Sequence, residues 1–145
     1  NEALRCRKIV TSLLDFARQT QPQKKMNDIN QVVTESILLT QKQAAFKDIM
    51  VESQLTPKIP ELMFDKGQLE QAIINLILNA EEATGEGGAI TVKTSYDTNR
   101  HAARLDICDT GVGIDKEQIE IIFEPFFTTK DSGTGLGLSI THGSI

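Results

Sequence analysis

Two glycine clusters, Asp109-Thr-Gly-Val-Gly-Ile114 and Gly133-Thr-Gly-Leu-Gly-Leu138, flank the aromatic–proline segment Phe123-Glu-Pro-Phe-Phe-Thr-Thr-Lys130. Glycine lets the backbone take positive φ and lets a ligand approach the main chain closely. The second cluster runs into Leu136, Leu138 and Ile140, the start of an expected helix. A glycine turn that opens a helix offers unpaired N–H groups and the positive dipole end to an anion, so the chemistry on offer is phosphate binding. The clusters are neither a GxxxxGK[ST] loop nor a GxGxxG turn within a strand–helix–strand unit. Upstream, Gln71, Asn75 and Asn79 recur every four residues inside Gln68–Ala83. Such a stripe is ordinarily a polar border between core and solvent. Two amides one turn apart are also placed to ligate a hard cation such as Mg²⁺, which keeps several waters and takes few protein ligands beside phosphates. Asp109 ends an alternating segment on its inward phase, where a carboxylate needs a donor. Either its own backbone supplies one, in an Asx-type turn at Asp-Thr-Gly, or a ligand amino group does.

The elements that must carry these residues follow from period and punctuation. Residues 2–19 read as a helix with Cys6, Ile9, Leu13 and Phe16 on a heptad-like seam, widened by Val10, Leu14 and Ala17 and flanked by Arg5, Arg7, Lys8 and Arg18. Pattern alone leaves a coiled-coil strand and an ordinary amphipathic helix equally open. Thr20-Gln-Pro-Gln-Lys-Lys25, interrupted by Pro22, marks a polar linker whose bounds are set at 22–27. Asp28-Ile-Asn-Gln31 has the form of a capping box, and opens a helix to about Lys47 with Ile29, Val33, Ile37 and Ala44 inward. Short strands are expected at Ile49–Leu55 and Glu61–Phe64, separated by Pro57 and Pro60. Asp65-Lys-Gly-Gln68 is a second capping box, opening a helix whose apolar face is Leu69, Ala72, Ile73, Leu76, Ile77, Ala80 and Ala83. Alternation at Ile90, Val92, Thr94, Tyr96 and at Leu105, Ile107, Asp109, joined by Asp97-Thr-Asn-Arg100, predicts a β-hairpin with one buried face. Ile114–Ile122 is expected as a short helix with Ile119 and Ile122 inward. Core packing is the default for Phe123, Phe126 and Phe127.

Taken in order, the Gln68–Ala83 segment, the two glycine clusters and the aromatic segment between them resemble the ATP-binding domain of bacterial sensor histidine kinases, in the gyrase, heat-shock chaperone, histidine kinase and MutL (GHKL) ATPase superfamily. The resemblance covers roughly residues 28–145, with a further match in the first helix, where Ile9–Arg18 looks like the second helix of the dimerisation hairpin. It implies an α+β fold, a two-layer α/β sandwich of the Bergerat ATP-binding type preceded by a long N-terminal helix. The implied division is a hairpin-helix fragment over 1–21, the linker, and an ATP-binding catalytic domain over 28–145. By resemblance Asp109, with Gly111 and Gly113, reads adenine. Asn79 and Asn75 hold the Mg²⁺–triphosphate and carry the catalytic role. Gly133, Thr134, Gly135, Leu136 and Gly137 bind the nucleotide, the aromatic segment is the hinge of a lid over Lys130–Gly133, and Lys130 reaches a phosphate.

The implied activity is ATP:protein-histidine phosphotransfer, with Mg-ATP as phosphoryl donor, a response regulator receiver domain as partner, and a homodimer built through the N-terminal helix and a hairpin partner outside this chain. The sequence departs from that pattern in three places. No histidine stands as phosphoacceptor: His101 and His142 both read as solvated surface residues. Glu82 occupies a position near the phosphates where some relatives carry a basic residue. The chain also ends at Ile145, where the family continues through a helix and a closing strand, so a domain truncated at its C-terminus is expected, and for want of the phosphoacceptor histidine it is expected to be inactive in isolation. A nucleotide-gated interaction module without transfer is the alternative from another class. A hydrolase of the gyrase or MutL type is weaker, because the glutamate base expected four residues before the Mg²⁺ asparagine is here Asn75, and an amide takes no proton from water.

Composition sets outer bounds. With 145 residues the chain can bury one real core plus an appended element. Its net charge of −5 divides into +4 over residues 1–25 and −9 over the rest. An acidic main domain argues against electrostatic capture of nucleic acid, so any phosphate must be held locally. No apolar run reaches the ~18 residues of a membrane span, and the expected setting is cytoplasmic, with anchoring of the parent protein left open. Cys6 and Cys108 are expected as buried small apolar residues in a reducing compartment.

Overall fold

The computed structural model describes residues 22–129 and 133–144. The elements are β1 (Lys25–Asn27), α1 (Ile29–Phe46), β2 (Met50–Leu55), β3 (Leu62–Phe64), α2 (Lys66–Thr84), β4 (Ala89–Asp97), β5 (Ala102–Asp109), α3 (Lys116–Ile119) and α4 (Gly137–Ser144). They fall into two compact units, one spanning Gln23–Gly113 and one holding the described residues from Ile114 onward. The expected N-terminal helix and Lys130 lie outside the described residues. Among those described, no helix is long and apolar enough to cross a membrane.

In the Gln23–Gly113 unit, β2, β4 and β5 form a sheet in that order, β2 parallel and β5 antiparallel to β4. Parallel neighbours require a crossover, and α2 provides it. The alternation read from sequence sets the inner face: Ile90 and Val92 are fully buried and Thr94 nearly so, with Val51, Leu55, Leu105 and Ile107 packed beside them. Both long helices cover this face, α1 contributing Ile29, Val32, Val33 and Ala44 and α2 contributing Ile73, Ile77 and Ala80 to one core. The fold is therefore the expected two-layer α/β sandwich.

Capping explains where the helices begin. Asp28 accepts from the amides of Asn30 and Gln31, and Asp65 accepts from the amide of Gln68. The reciprocal arm of the first capping box is not made, because the Gln31 side chain turns forward to donate to Glu35 instead. Asp65 also accepts from the amide of Gln23 at 2.7 Å, and these amides hold its carboxyl below the usual aspartate range. That bond accompanies a feature absent from the sequence reading. Residues 25–27, expected as linker, form β1 and pair antiparallel with β3, Lys25 opposite Phe64 and Asn27 opposite Leu62.

One other expectation changes in this unit. Cys108 is exposed rather than buried, because it stands on the outward phase between inward Ile107 and Asp109. The buried side of α1 includes two hydroxyls, Ser36 and Thr40, which donate back to carbonyls of their own helix and so remain satisfied without leaving the core.

A small polar network closes one end of the sandwich. Thr94 Oγ1 donates to Asn30 Oδ1 at 2.8 Å and accepts from the Thr56 amide at 3.0 Å, while Asn30 Nδ2 donates to the Thr56 carbonyl at 2.8 Å. Thr94→Val keeps the shape but leaves the Thr56 amide without its acceptor. We expect it to cost about 1–3 kcal/mol in urea denaturation, the penalty of unsatisfied half-buried polar groups, with the circular dichroism spectrum unchanged.

Candidate functional site

The last turn of α2 and the first glycine cluster are joined in one local assembly. The amide of Val112 donates to the carbonyl of Ala83 at 3.2 Å. Thr110 clamps the start of β4, its amide donating to the Ala89 carbonyl at 3.1 Å and its Oγ1 accepting from the Ala89 amide at 3.0 Å. Gly111 lies so close to the helix that a Cβ there would sit 2.5 Å from both the carbonyl carbon and oxygen of Ala83. Glycine is required at 111 by this close approach, and at Gly113 by a φ of +76°.

Asp109 stands at the end of β5 opposite Ile90, on the helix-facing phase as the alternation required. Its side chain is nevertheless exposed, and Oδ1 accepts from the Gly111 amide at 2.9 Å. The Asx-type turn left open by the sequence is therefore made, and it employs one carboxylate oxygen. On α2, Asn75 and Asn79 are half-buried beside the fully buried Ile73 and Ile77, with Gln71 exposed at the head of the stripe. Gln71 Nε2 donates to Asn75 Oδ1 at 3.3 Å, fixing the orientation of that amide. Neutral amide oxygens on a rigid helix are suitable ligands for a hard cation. Among the described residues no group of three or more His, Cys, Asp or Glu could hold a metal.

The second unit contains the other glycine cluster. The Phe126 amide donates to the Gly135 carbonyl at 2.9 Å, and Gly135 has a φ of +66°. A Cβ on Gly135 would fall 2.3 Å from the Phe126 carbonyl carbon. Leu136 is buried, and α4 begins at the next residue, as the sequence predicts. Gly133, Thr134, Gly135 and Gly137 are half-buried, and the first-turn amides of α4 have no partners within the helix, which suits them to an anion.

The expected helix over Ile114–Ile122 shrinks to the single turn α3, so Ile119 is half exposed rather than inward, while Ile122 is half-buried. Of the three phenylalanines only Phe127 is half-buried. Phe126 is exposed at a φ of +69°, a left-handed conformation unusual for an aromatic residue. Phe123 is exposed and meets the ring of His142 at 4.9 Å between centroids, so His142 is exposed but not solitary. His101, at the hairpin turn, is exposed with Nδ1 3.3 Å from the Tyr96 hydroxyl.

One residue of the α2 end escaped the sequence reading. Glu81 has no solvent exposure, and neither carboxylate oxygen has a hydrogen-bond partner. Burial pushes its carboxyl above the usual glutamate range; Lys47 offsets this in part and Glu82 adds to it. The signal was present: Glu81 follows Ile73 and Ile77 at four-residue steps, on the buried stripe.

Comparison with known proteins agrees with this fold. Residues 64–145 match the family described as histidine kinase-, DNA gyrase B-, and HSP90-like ATPase. The chain belongs to this family. The sensor histidine kinase ZraS of Escherichia coli O157:H7 is 34% identical over 144 residues, covering 99% of this chain and 31% of that protein. The chain thus spans under a third of that kinase. The solved catalytic domain of histidine kinase ThkA superposes with a TM-score of 0.77 at 33% identity, over 85% of this chain and 80% of that domain. ThkA in complex with the response regulator protein TrrA gives a TM-score of 0.81 at 29% identity, over 100% of this chain and 41% of that one. The α/β sandwich of this chain is accordingly the ATPase domain of histidine kinases, and the glycine clusters lie within the matched residues.

Gly111→Ala and Gly135→Ala each force a methyl group into backbone. Each is expected to lower stability by about 1–3 kcal/mol, as overpacking does. Gly113→Asn should be near neutral, since asparagine tolerates left-handed backbone and nothing lies within 4 Å of a Cβ there. Urea midpoints of the three variants check the order.

Proposed function

We propose that this chain is the ATP-binding catalytic domain of a two-component sensor histidine kinase, which holds Mg-ATP and presents its γ-phosphoryl group to a histidine outside the chain. The observation that carries the reading is the docking of the first glycine cluster onto the last turn of α2. It sets Asp109 and the Asn75–Asn79 stripe on neighbouring elements of one compact unit. Asp109, with one oxygen committed to Gly111, keeps acceptor capacity for the exocyclic amino group of adenine. The amides of Gly133, Thr134, Gly135, Leu136 and Gly137 at the opening of α4 would receive phosphate oxygens, with Lys130 as a point charge. Asn79 and Asn75 would hold Mg²⁺, which when bound neutralises triphosphate charge.

Phosphoryl transfer asks for little covalent chemistry from the protein. What it needs is an aligned γ-phosphoryl group and an environment that stabilises its spreading charge. In transfer, a nitrogen of the acceptor imidazole forms the new bond to phosphorus as the bond to the bridging oxygen breaks and ADP leaves. His101 and His142 lie at a hairpin turn and against Phe123, and neither is proposed as the acceptor. The proposal extends to a homodimer through residues 1–21 and to a response regulator receiver domain as the next acceptor. The likeness to ThkA, solved with TrrA, supports the latter. Without an acceptor histidine the chain alone should bind nucleotide and transfer nothing.

Nucleotide affinities and phosphoryl turnover test this. Asp109→Asn replaces an acceptor oxygen with a donor, so ATP and ADP affinity in titration calorimetry should fall at least about tenfold, the range of a charge-assisted hydrogen bond, with the fold intact by circular dichroism. Equal affinity of the unaltered chain for ATP and GTP would reject the adenine role. Asn79→Ala should weaken Mg²⁺-dependent ATP binding far more than metal-free ADP binding, and the unaltered chain should hydrolyse ATP negligibly. Sustained turnover abolished by Asn75→Ala would instead establish a hydrolase. Nucleotide binding by a parent protein that never labels a histidine would establish the interaction module.

A further inference from the structure

β5 leaves the sheet one residue after Asp109, and it does so by exchanging one acceptor for another. In an antiparallel ladder the two residues of a hydrogen-bonded pair exchange two bonds, each amide donating to the other's carbonyl. Asp109 stands opposite Ile90, so the next pair is Thr110 with Ala89. Half of the exchange is made, the Thr110 amide donating to the Ala89 carbonyl at 3.1 Å. The return bond ends on a side chain: the Ala89 amide donates to Thr110 Oγ1 at 3.0 Å. The hydroxyl thus stands in for the Thr110 carbonyl. The main chain is released from the ladder at that carbonyl and enters the turn that seats Gly111 on α2.

Room for that hydroxyl is made from the other strand. The Gly88 carbonyl accepts from the Met50 amide at 2.9 Å, so β2 holds residue 88 in place. A Cβ there would stand 2.9 Å from Thr110 Oγ1 and 2.0 Å from Thr84 Cγ2. Thr84 cannot turn aside freely, because its own hydroxyl donates to the Ala80 carbonyl at 2.7 Å. Glycine at 88 therefore keeps the Ala89 amide within reach of Thr110. On the far side of Thr110, Asp109 Oδ1 accepts from the Gly111 amide and the Val112 amide donates to the Ala83 carbonyl. The carboxylate is set between two anchored points, and the first of them is the threonine hydroxyl.

We propose that Thr110 is a positioning residue for purine selection: its hydroxyl ends the β4–β5 ladder at Ala89 and so sets the Asp109 carboxylate where it meets the base. The selection of adenine rests on the ATP-binding reading; the exit from the ladder does not. Without the hydroxyl, the Ala89 amide is left to water or to the carbonyl of residue 110. Capturing that carbonyl extends the ladder by one residue and draws the Asp109–Gly111 turn off α2. Valine adds crowding to the loss, since its methyl group replaces an oxygen 3.0 Å from the Ala89 nitrogen. Serine keeps the oxygen and loses only a methyl group.

The test compares the 145-residue chain with Thr110→Val, Thr110→Ala and Thr110→Ser, the alanine variant serving if valine does not fold. Amide hydrogen exchange is read at Val112, on the turn, and at Val92, in the buried centre of β4; ADP and GDP are titrated by calorimetry. In the valine and alanine variants Val112 protection should fall roughly tenfold, the scale of one lost hydrogen bond, while Val92 keeps its protection. ADP affinity should fall by a similar factor while GDP affinity holds. Thr110→Ser should match the unaltered chain in every reading. Equal loss of protection at Val112 and Val92, or equal loss of ADP and GDP affinity, makes Thr110 a general stabiliser and overturns the proposal. Unchanged ADP affinity in both hydroxyl-free variants also overturns it, as does a serine variant that fails to restore the turn. Val112 protection lost and regained as stated, with no ADP binding by any of the four chains, sustains the ladder exit and overturns the ATP-binding reading.

Discussion

The close approach of Gly111 to the Ala83 carbonyl is the constraint on which the site depends. The last carbonyls of a helix have no intrahelical donor and must find one elsewhere when partly buried. Here the donor is the Val112 amide, so the bond that finishes α2 also places the first glycine cluster. No side chain larger than hydrogen fits between them. Asp109 is thereby fixed twice, by the β4–β5 ladder behind it and by the Gly111 amide ahead of it. Helix termination and site geometry have become one interaction, and neither can be altered alone.

Around that contact the unit relies on satisfied polar groups as much as on its aliphatic core. Asp65 caps α2 and at the same time binds the Gln23 amide ahead of β1, so the small β1–β3 sheet and the long helix share one carboxylate. Lys66 reaches Glu35 at 2.6 Å across the two helices, a solvent-exposed pair that orients more than it stabilises. Thr94, Asn30 and Thr56 join the middle of β4, the start of α1 and the end of β2. Among the described residues, Glu81 is the exception to this satisfaction.

What was legible in the sequence was what local period and punctuation encode. The two capping aspartates, the four-residue stripes of α1 and α2, and the alternation of β4 and β5 all reappear at the expected residues, within one or two positions at the ends. The asparagine stripe and both glycine turns were legible because glycine and amide spacing is itself the signal. The β1–β3 pair was not, because Lys25-Met-Asn27 has no pattern of its own and becomes a strand only through a partner 37 residues away, where Asn27 Nδ2 donates to the Phe64 carbonyl. The single turn of α3 was overestimated because Ile119 and Ile122 satisfy helical spacing without a surface to bury both. Cys108 and Glu81 are a different kind of miss. Period places one outward and the other inward, and in each case residue chemistry alone points the opposite way. Glu82, noticed for its charge, proved the exposed neighbour of the carboxylate that is buried.

The Phe126–Gly135 bond has a consequence for how this architecture can vary. Because a main-chain hydrogen bond and a glycine-only contact join the chain at those two points, they form a base that closes it on itself whatever lies between them. The entropy of closing such a loop grows only with the logarithm of its length, about 0.6 kcal/mol per doubling. Insertions there would leave the base undisturbed. Evolution is therefore free to lengthen, shorten or recompose that stretch at small thermodynamic expense, so its size is an adjustable parameter while the residues of its base are not.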